Sequence, residues 1–207
     1  VGKHYDKPVV PVHHIYGHIF SLLLERRVAD LPFPWIVLTA SWGHNEIYHV
    51  EREEWEMKWK ELILSDLTIT KLWKTLDDAA GECFDKVARM LGGPYPWGQW
   101  IGEQALLGKP NSTFRFKRIM LADNDNAFDF SFSGMKSQAY SMLQKLEREW
   151  IALEWQVIYD IAYEFQEALI EVLAYKLLTA ATQYKAATVA IVWGVSANDR
   201  LFHYATD

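Results

Sequence analysis

The chain has 207 residues, half of them hydrophobic and 23% charged, with a formal net charge of −6. This is a globular composition with enough length to bury a core, and it excludes a disordered or fibrous chain and a broadly basic nucleic-acid-binding coat. A single cysteine, Cys83, excludes an intramolecular disulfide and a cysteine-rich zinc module, and it suits a reducing cytoplasm.

In chain order, Pro8 to Val12 reads as a short buried strand. A helical pattern follows, with Ile15, Ile19, Leu22 and Leu23 on one face, until Pro32 and Pro34 break it. Trp35 to Ser41 is an apolar run of strand length, and Glu46 to Val50 is its candidate hairpin partner. Residues 51–63, dense in Glu, Lys and Trp, read as a solvated helical insertion. Thr75 to Leu91 reads as an amphipathic helix, with Thr75 as N-cap and Asp78 completing a capping box. Gly92 to Pro96 is a loop, and a short helix follows it. Phe128 to Ser133 alternates as a half-buried strand should. Long helices near 135–149 and 153–184 lead to a buried strand, Thr188 to Val192, and a last helix from Ser196. No apolar run reaches the ~18–20 residues that a membrane span needs, and the first residues lack a signal-peptide pattern. Strands alternating with helices predict an α/β fold.

Several short patterns carry chemistry. His14 and His18 are four residues apart, so on a helix both imidazoles share one face, as two ligands of a divalent metal do; solvent-facing or capping histidines have the same spacing. Asp85 lies too far along its helix for capping, and is either a solvated face residue or an acceptor for ribose hydroxyls. Ser41-Trp42-Gly43-His44, Pro94 to Gly98, and Trp193 to Asn198 are junctions of a strand or turn with a helix, where backbone N–H groups can hold phosphate.

The order and wording of these patterns resemble one family. Val-His-His-x-x-x-His, Ser-x-Gly-His, the run from Thr75 to Gly92, Pro-Tyr-Pro-x-Gly, Phe-Asp-Phe-Ser-Phe-Ser-Gly-x-Lys and Gly-Val-Ser-Ala-Asn are similar to the landmarks of the tRNA threonylcarbamoyladenosine transferases, the bacterial TsaD subunit, over residues 8–201. The resemblance implies an actin-like ATPase fold of two lobes, as in sugar kinases and Hsp70. It also implies transfer of threonylcarbamoyl from threonylcarbamoyl-AMP to the adenosine 3′ of the anticodon in tRNAs reading ANN codons. Carried over residue by residue, His14 and His18 match the metal histidines, for one iron or zinc ion per subunit. Thr39, Ala40, Ser41, Trp42, Gly43, Asp85, Gly98 and Asn198 match the donor-binding positions, while His44 takes no assigned role. Implied partners are tRNA, a TsaB-like scaffold subunit and a TsaE-like ATPase, in the cytoplasm. Arg115, Lys117 and Arg118, interleaved with Phe114 and Phe116, are compatible with phosphate contact and base stacking, or with a solvated strand edge.

The sequence also departs from the family. Residues 1–207 are expected to be the central portion of one such domain, without its N-terminal strands and without the C-terminal segment that supplies an aspartate as third metal ligand. Asp207 imitates that aspartate but comes too soon after Asn198. Such a fragment is expected to fold poorly by itself. Tyr16 replaces the usual Glu two residues after the first metal histidine. Most important, Trp42, Trp73, Trp97 and Trp193 stand where the family has glycine, and Trp100 is a candidate fifth case. The chain holds 10 Trp and only 11 Gly, against about 14–15 Gly at the usual ~7% share. A gene whose UGA codons are read as glycine but translated on paper as tryptophan would give this pattern; a decayed paralogue is the alternative. Genuine tryptophans would favour a non-catalytic actin-like scaffold. A zinc peptidase, a name this family has often carried, is disfavoured because Ile15, not Glu, follows His14.

Overall fold

The computed structural model describes residues 2–6, 8–9, 11–52, 67–121 and 129–206. The central apolar run forms β1 (Trp35–Ala40), which pairs antiparallel with β2 (Asn45–Arg52), Ala40 opposite Asn45 and Trp35 opposite Val50. β3 (Leu67–Trp73) continues the meander antiparallel to β2, and β4 (Thr188–Val192) lies parallel to β1, giving the order β3-β2-β1-β4. β1 is thus a middle strand with all six residues buried, which is why it reads as an unbroken apolar run.

Seven α-helices accompany the sheet among the described residues: α1 (Gly2–Tyr5), α2 (His14–Phe20), α3 (Ala80–Met90), α4 (Trp97–Ala105), α5 (Ser133–Arg148), α6 (Trp155–Gln183) and α7 (Asp199–Thr206). One face of β1, with Ile36 and Leu38, joins Phe84 of α3, Ile101 of α4, Met135 of α5 and Phe165 of α6 in the larger core. The opposite face, with Trp35 and Val37, packs on Ile19 of α2. Each such fully buried side chain contributes about 1.5–3 kcal/mol of transfer free energy. α6 is buried along most of its length yet carries a polar row that holds its neighbours. Asp160 accepts from Lys109 N and Asn111 Nδ2, Glu164 from Asn111 N, and Glu167 from both Nε and Nη2 of Arg200 on α7.

Several expectations change. Pro8 to Val12 is not a strand: its described residues lie outside the sheet, with Val9 74% and Val12 75% exposed, and two prolines deprive it of ladder donors. The helix expected from Thr75 starts at Ala80. Thr75 Oγ1 instead accepts from Asn45 N and donates to Asn45 O, and Thr75 bridges Phe130 in parallel. Asp77 caps a different helix: it accepts from Phe132 N, Ser133 N and the hydroxyls of Ser131 and Ser133, at the start of α5. Asp78 pairs with Lys86 at 2.8 Å and Lys136 at 3.5 Å rather than closing a capping box. The strand expected at 128–133 is reduced to that single bridge, although Phe130 and Phe132 are both fully buried as the alternation predicts; Phe128 lies outside the described residues. Of the region 51–63, Glu51 and Arg52 finish β2, and the rest lies outside the described residues. A 3-10 turn, Gly194–Ala197, precedes α7, which begins at Asp199 rather than Ser196.

The first N–H groups of α3 find their partners in the β1–β2 turn. Ala80 N donates to Asn45 Oδ1 (2.6 Å), Gly81 N to Ser41 O (3.2 Å) and Glu82 N to Trp42 O (3.2 Å). A Cβ at Gly81 would fall 2.7 Å from Trp42 Cα and 2.8 Å from Ser41 O, so only glycine permits this approach. Gly81→Ala is therefore expected to destabilise the full-length protein by about 1–3 kcal/mol, read from its urea midpoint. An unchanged midpoint would refute the close docking. For Asp77, burial opposes ionisation, but hydrogen bonds from Ser131, Ser133 and the Phe132 and Ser133 N–H groups outweigh it and hold its carboxyl below the ordinary range. A depressed folded-state value stabilises above the unfolded pKa of about 3.9 and stops doing so as pH falls through the folded value. Asp77→Ala is expected to cost about 1 kcal/mol at pH 7, and the gap from the parent should narrow below pH ~4.

Candidate functional site

Two cavities flank the β1–β2 turn and share Trp42 and Gly194 in their walls. The first, about 650 Å³, lies among α3, α4 and the segment entering α7, and Asp85, Gly98 and Asn198 line it. The second, about 750 Å³, is lined by His14, Ser41, Gly43 and His44, with Glu46, Tyr48 and Lys71.

The turn is locked by its first residue. Ser41 Oγ accepts from Gly43 N (3.2 Å) and His44 N (2.9 Å) and donates to His44 O (2.8 Å), while Ser41 N also donates to His44 O (3.0 Å). With the carbonyls of Ser41 and Trp42 bonded to α3, the Trp42 side chain lies against that helix. Its indole N–H donates to Asp85 Oδ2 at 2.7 Å. Gly98, in the first turn of α4, sits beside the same carboxylate: a Cβ there would lie 3.5 Å from Asp85 Oδ1. Asn198 is oriented from two sides. Its Nδ2 donates to Gln166 Oε1 (2.9 Å) and its Oδ1 accepts from Arg200 N (3.0 Å).

Asp85, Gly98 and Asn198 thus converge from three parts of the chain on the first cavity, Ser41 and Gly43 line the second, and Trp42 lies between the two. Thr39 and Ala40 do not reach either cavity: both are fully buried in β1, with Thr39 Oγ1 donating to Glu46 O. His14 and His18 share one face of α2, their ring centroids 4.6 Å apart. Burial, then the proximity of His14, lowers the pKa of His18 and favours the neutral imidazole that metals bind. As a donor set the pair fits a divalent metal, but the described residues contain no group of three or more His, Cys, Asp or Glu side chains able to hold one. Asp207 lies outside the described residues.

The tryptophans occupy this site. The Trp193 ring lies over both imidazoles, 5.2 Å from His14 and 4.1 Å from His18 between centroids. Its backbone has φ 88° and ψ −178°, a region essentially restricted to glycine. Trp42, Trp73 and Trp97 do not enter positive φ. Trp73 is buried at the end of β3, opposite Ile47, and Trp97 opens α4 with the Arg89 guanidinium 5.3 Å from its ring.

Sequence reasoning missed Glu46, Tyr48 and Lys71. Tyr48 Oη donates to Glu46 Oε2 at 2.5 Å, and Lys71 Nζ lies 3.2 Å from Glu46 Oε1. Burial, then Glu46, pushes the Tyr48 phenol pKa up, so it stays protonated. The signal was present: residues 46 and 48 alternate onto one face of β2, and Lys71 is the cross-strand partner of Tyr48. The basic cluster needs correction. Phe114 and Phe116 are buried, Phe116 against Phe165, so neither can stack on a base. Arg118 is paired with Glu171 at 2.7 Å, leaving Arg115 and Lys117 facing solvent.

The backbone at residue 193 makes a stability prediction. Trp193→Gly is expected to stabilise the full-length protein by about 1–3 kcal/mol, while Trp193→Ala, which keeps a Cβ, should recover little of this. Equal effects of the two substitutions on the melting temperature would mean that the ring, not the backbone, sets the strain.

The chain matches the family described as tRNA N6-adenosine threonylcarbamoyltransferase over residues 1–206. Relatives bearing that name include a protein of Syntrophomonas wolfei, 40% identical over 196 residues, which are 95% of this chain and 51% of the relative. One of Staphylococcus epidermidis is 36% identical over 197 residues and one of Neisseria meningitidis serogroup A is 38% identical over 198, again covering 95% of this chain and 51% of each relative. The chain therefore spans about half the length of the curated relatives it matches. Its mixed sheet with helices on both faces accords with the actin-like ATPase fold of that family. The chain belongs to the tRNA N6-adenosine threonylcarbamoyltransferase family.

Proposed function

We propose that the full-length protein transfers the threonylcarbamoyl group of threonylcarbamoyl-AMP to the exocyclic amine of the adenosine 3′ of the anticodon, in tRNAs reading ANN codons. The observation that carries this reading is the convergence of Asp85, Gly98 and Asn198 on one cavity that shares a wall with the cavity of His14. In the transfer, the amine attacks the carbamoyl carbonyl, a new C–N bond forms, the C–O bond to the phosphate breaks as AMP leaves with its electron pair, and the amine gives up one proton to solvent. Asp85 is placed to accept from ribose hydroxyls, and the bare backbone of Gly98 beside it leaves room for the sugar. Asn198, fixed by Gln166, bounds the cavity on the other side. His14 and His18 would hold one divalent ion, iron or zinc, whose chemistry when bound is Lewis-acid polarisation and orientation of the donor. Holding donor and amine together supplies much of the rate.

This reading requires glycine at 42 and 193. The Trp42 indole takes the Asp85 oxygen meant for substrate, and the Trp193 indole covers the histidine face. The same correction extends to Trp73 and Trp97. The partners would be tRNA, a TsaB-like scaffold subunit and a TsaE-like ATPase, in the cytoplasm; no described helix is long and apolar enough to cross a membrane. The second reading, a non-catalytic scaffold or decayed paralogue, is favoured by those same two indoles if they are genuine.

The test is a reconstituted transfer assay on the full-length protein, scored by modified nucleoside in tRNA. Glycine at 42, 73, 97 and 193 should give turnover, and the sequence with tryptophan at these positions should give none. Within the glycine form, Asp85→Ala should weaken donor use by about tenfold or more, from loss of a charged hydrogen bond of ~1.5–3 kcal/mol. His14→Ala should abolish metal retention and transfer together. A glycine form that binds tRNA and partners but transfers nothing would end this reading.

A further inference from the structure

We propose that residue 150 is also glycine in the working protein, and that Trp35 is a true tryptophan. The inference rests on the reading that residues 42 and 193 are glycine, but its evidence comes from the far end of α5. That helix closes with Ile151 N donating to Leu146 O (2.9 Å) and Trp150 N to Glu147 O (3.1 Å), and Trp150 takes φ 56°. This is the paired closure whose pivot residue is left-handed and usually glycine. α3 closes the same way, with Gly93 N to Ala88 O and Gly92 N to Arg89 O, and there the pivot is Gly92 at φ 81°. α6 repeats it with Lys185 at φ 49°. Lys185 shows that a side chain is tolerated at the pivot, and a cation at a helix C-terminus gains from the helix dipole. Trp150 has no such compensation: it is 94% exposed, so its indole buries almost nothing to offset the left-handed backbone.

Among the described tryptophans, only Trp150 and Trp193 have positive φ, and both stand where a backbone device calls for glycine. Trp35 is the opposite case. It is fully buried, its indole N–H donates to Leu31 O at 2.9 Å, and its ring stacks on Phe33 with centroids 4.2 Å apart. Glycine at 35 would leave a large void in the smaller core. A single cause accommodates both classes: one codon written as tryptophan but read as glycine, beside the ordinary tryptophan codon. The gene should therefore carry UGA at 42, 150 and 193 and UGG at 35.

Peptide mass spectrometry of the protein from its source cells, with the codons read beside it, decides the matter. The expected result is glycine at 42, 150 and 193 and tryptophan at 35. Glycine at 42 and 193 with tryptophan at 150 would overturn this inference and leave the donor-site reading standing. Tryptophan at 42 and 193 with glycine at 150 would sink the donor-site reading and keep this one. Tryptophan at all three would overturn both, and glycine at 35 would refute the assignment of that residue.

Discussion

The site depends on one close approach, that of the β1–β2 turn to the first turn of α3. Two backbone carbonyls and the Asn45 side chain satisfy three helix N–H groups that would otherwise be orphaned. The contact is possible because residue 81 has no side chain. It has a geometric consequence. Gly81 and Asp85 are one helical turn apart on the same face, so docking the turn on Gly81 places its tip beside the Asp85 carboxylate. The central strand β1 runs into that turn, and its parallel neighbour β4 runs out at residue 193, next to α2. Two strand ends therefore bring the carboxylate cavity and the histidine face to a common wall.

A backbone built for such contacts leaves little room for side chains. At 42 the indole spans the cavity rim and occupies one oxygen of the Asp85 carboxylate. At 193 the ring shields two imidazoles, and the backbone beneath it holds a conformation that costs any non-glycine residue on the order of 1–3 kcal/mol. The two positions differ in kind. Residue 42 is a question of space alone, whereas residue 193 is one of space and conformation together. α6 adds polar support beside them, with Gln166 holding Asn198 and Glu167 holding Arg200.

Much of this was legible in the sequence, for physical reasons. β1 is marked by its continuous apolar run, α5 and α6 by helical patterning, and β2 by its length and its place after β1 as a hairpin partner. β3 alternates Leu-Thr-Ile-Thr, but most of its residues are partly buried or exposed, so it lacks the apolar run that marks β1. The misread capping box shows the limit of local pattern. Thr75 and Asp78 have the right spacing, but tertiary partners (Asn45 for the first, Lys86 and Lys136 for the second) outcompete the helix end. Pro8 to Val12 has strand composition, but its two prolines lack the N–H groups that a ladder needs. Among the cavity residues, His14 and His18 stand out by their i, i+4 spacing, whereas Asp85 stands out only through the family resemblance. In the Glu46–Tyr48–Lys71 cluster the alternation of Glu46 and Tyr48 is local to β2, whereas Lys71 joins them only through the register of β3.

With glycine at 193, as proposed, the imidazoles of His14 and His18 on α2 would lie uncovered beside the second cavity. A crystal structure of the full-length protein purified from its source cells, with anomalous data at the iron and zinc edges, tests it most directly. The expected result is a metal bonded to both His14 and His18, and glycine at 193 with positive φ. An indole at 193 lying over both rings, with no anomalous peak between them, would contradict it.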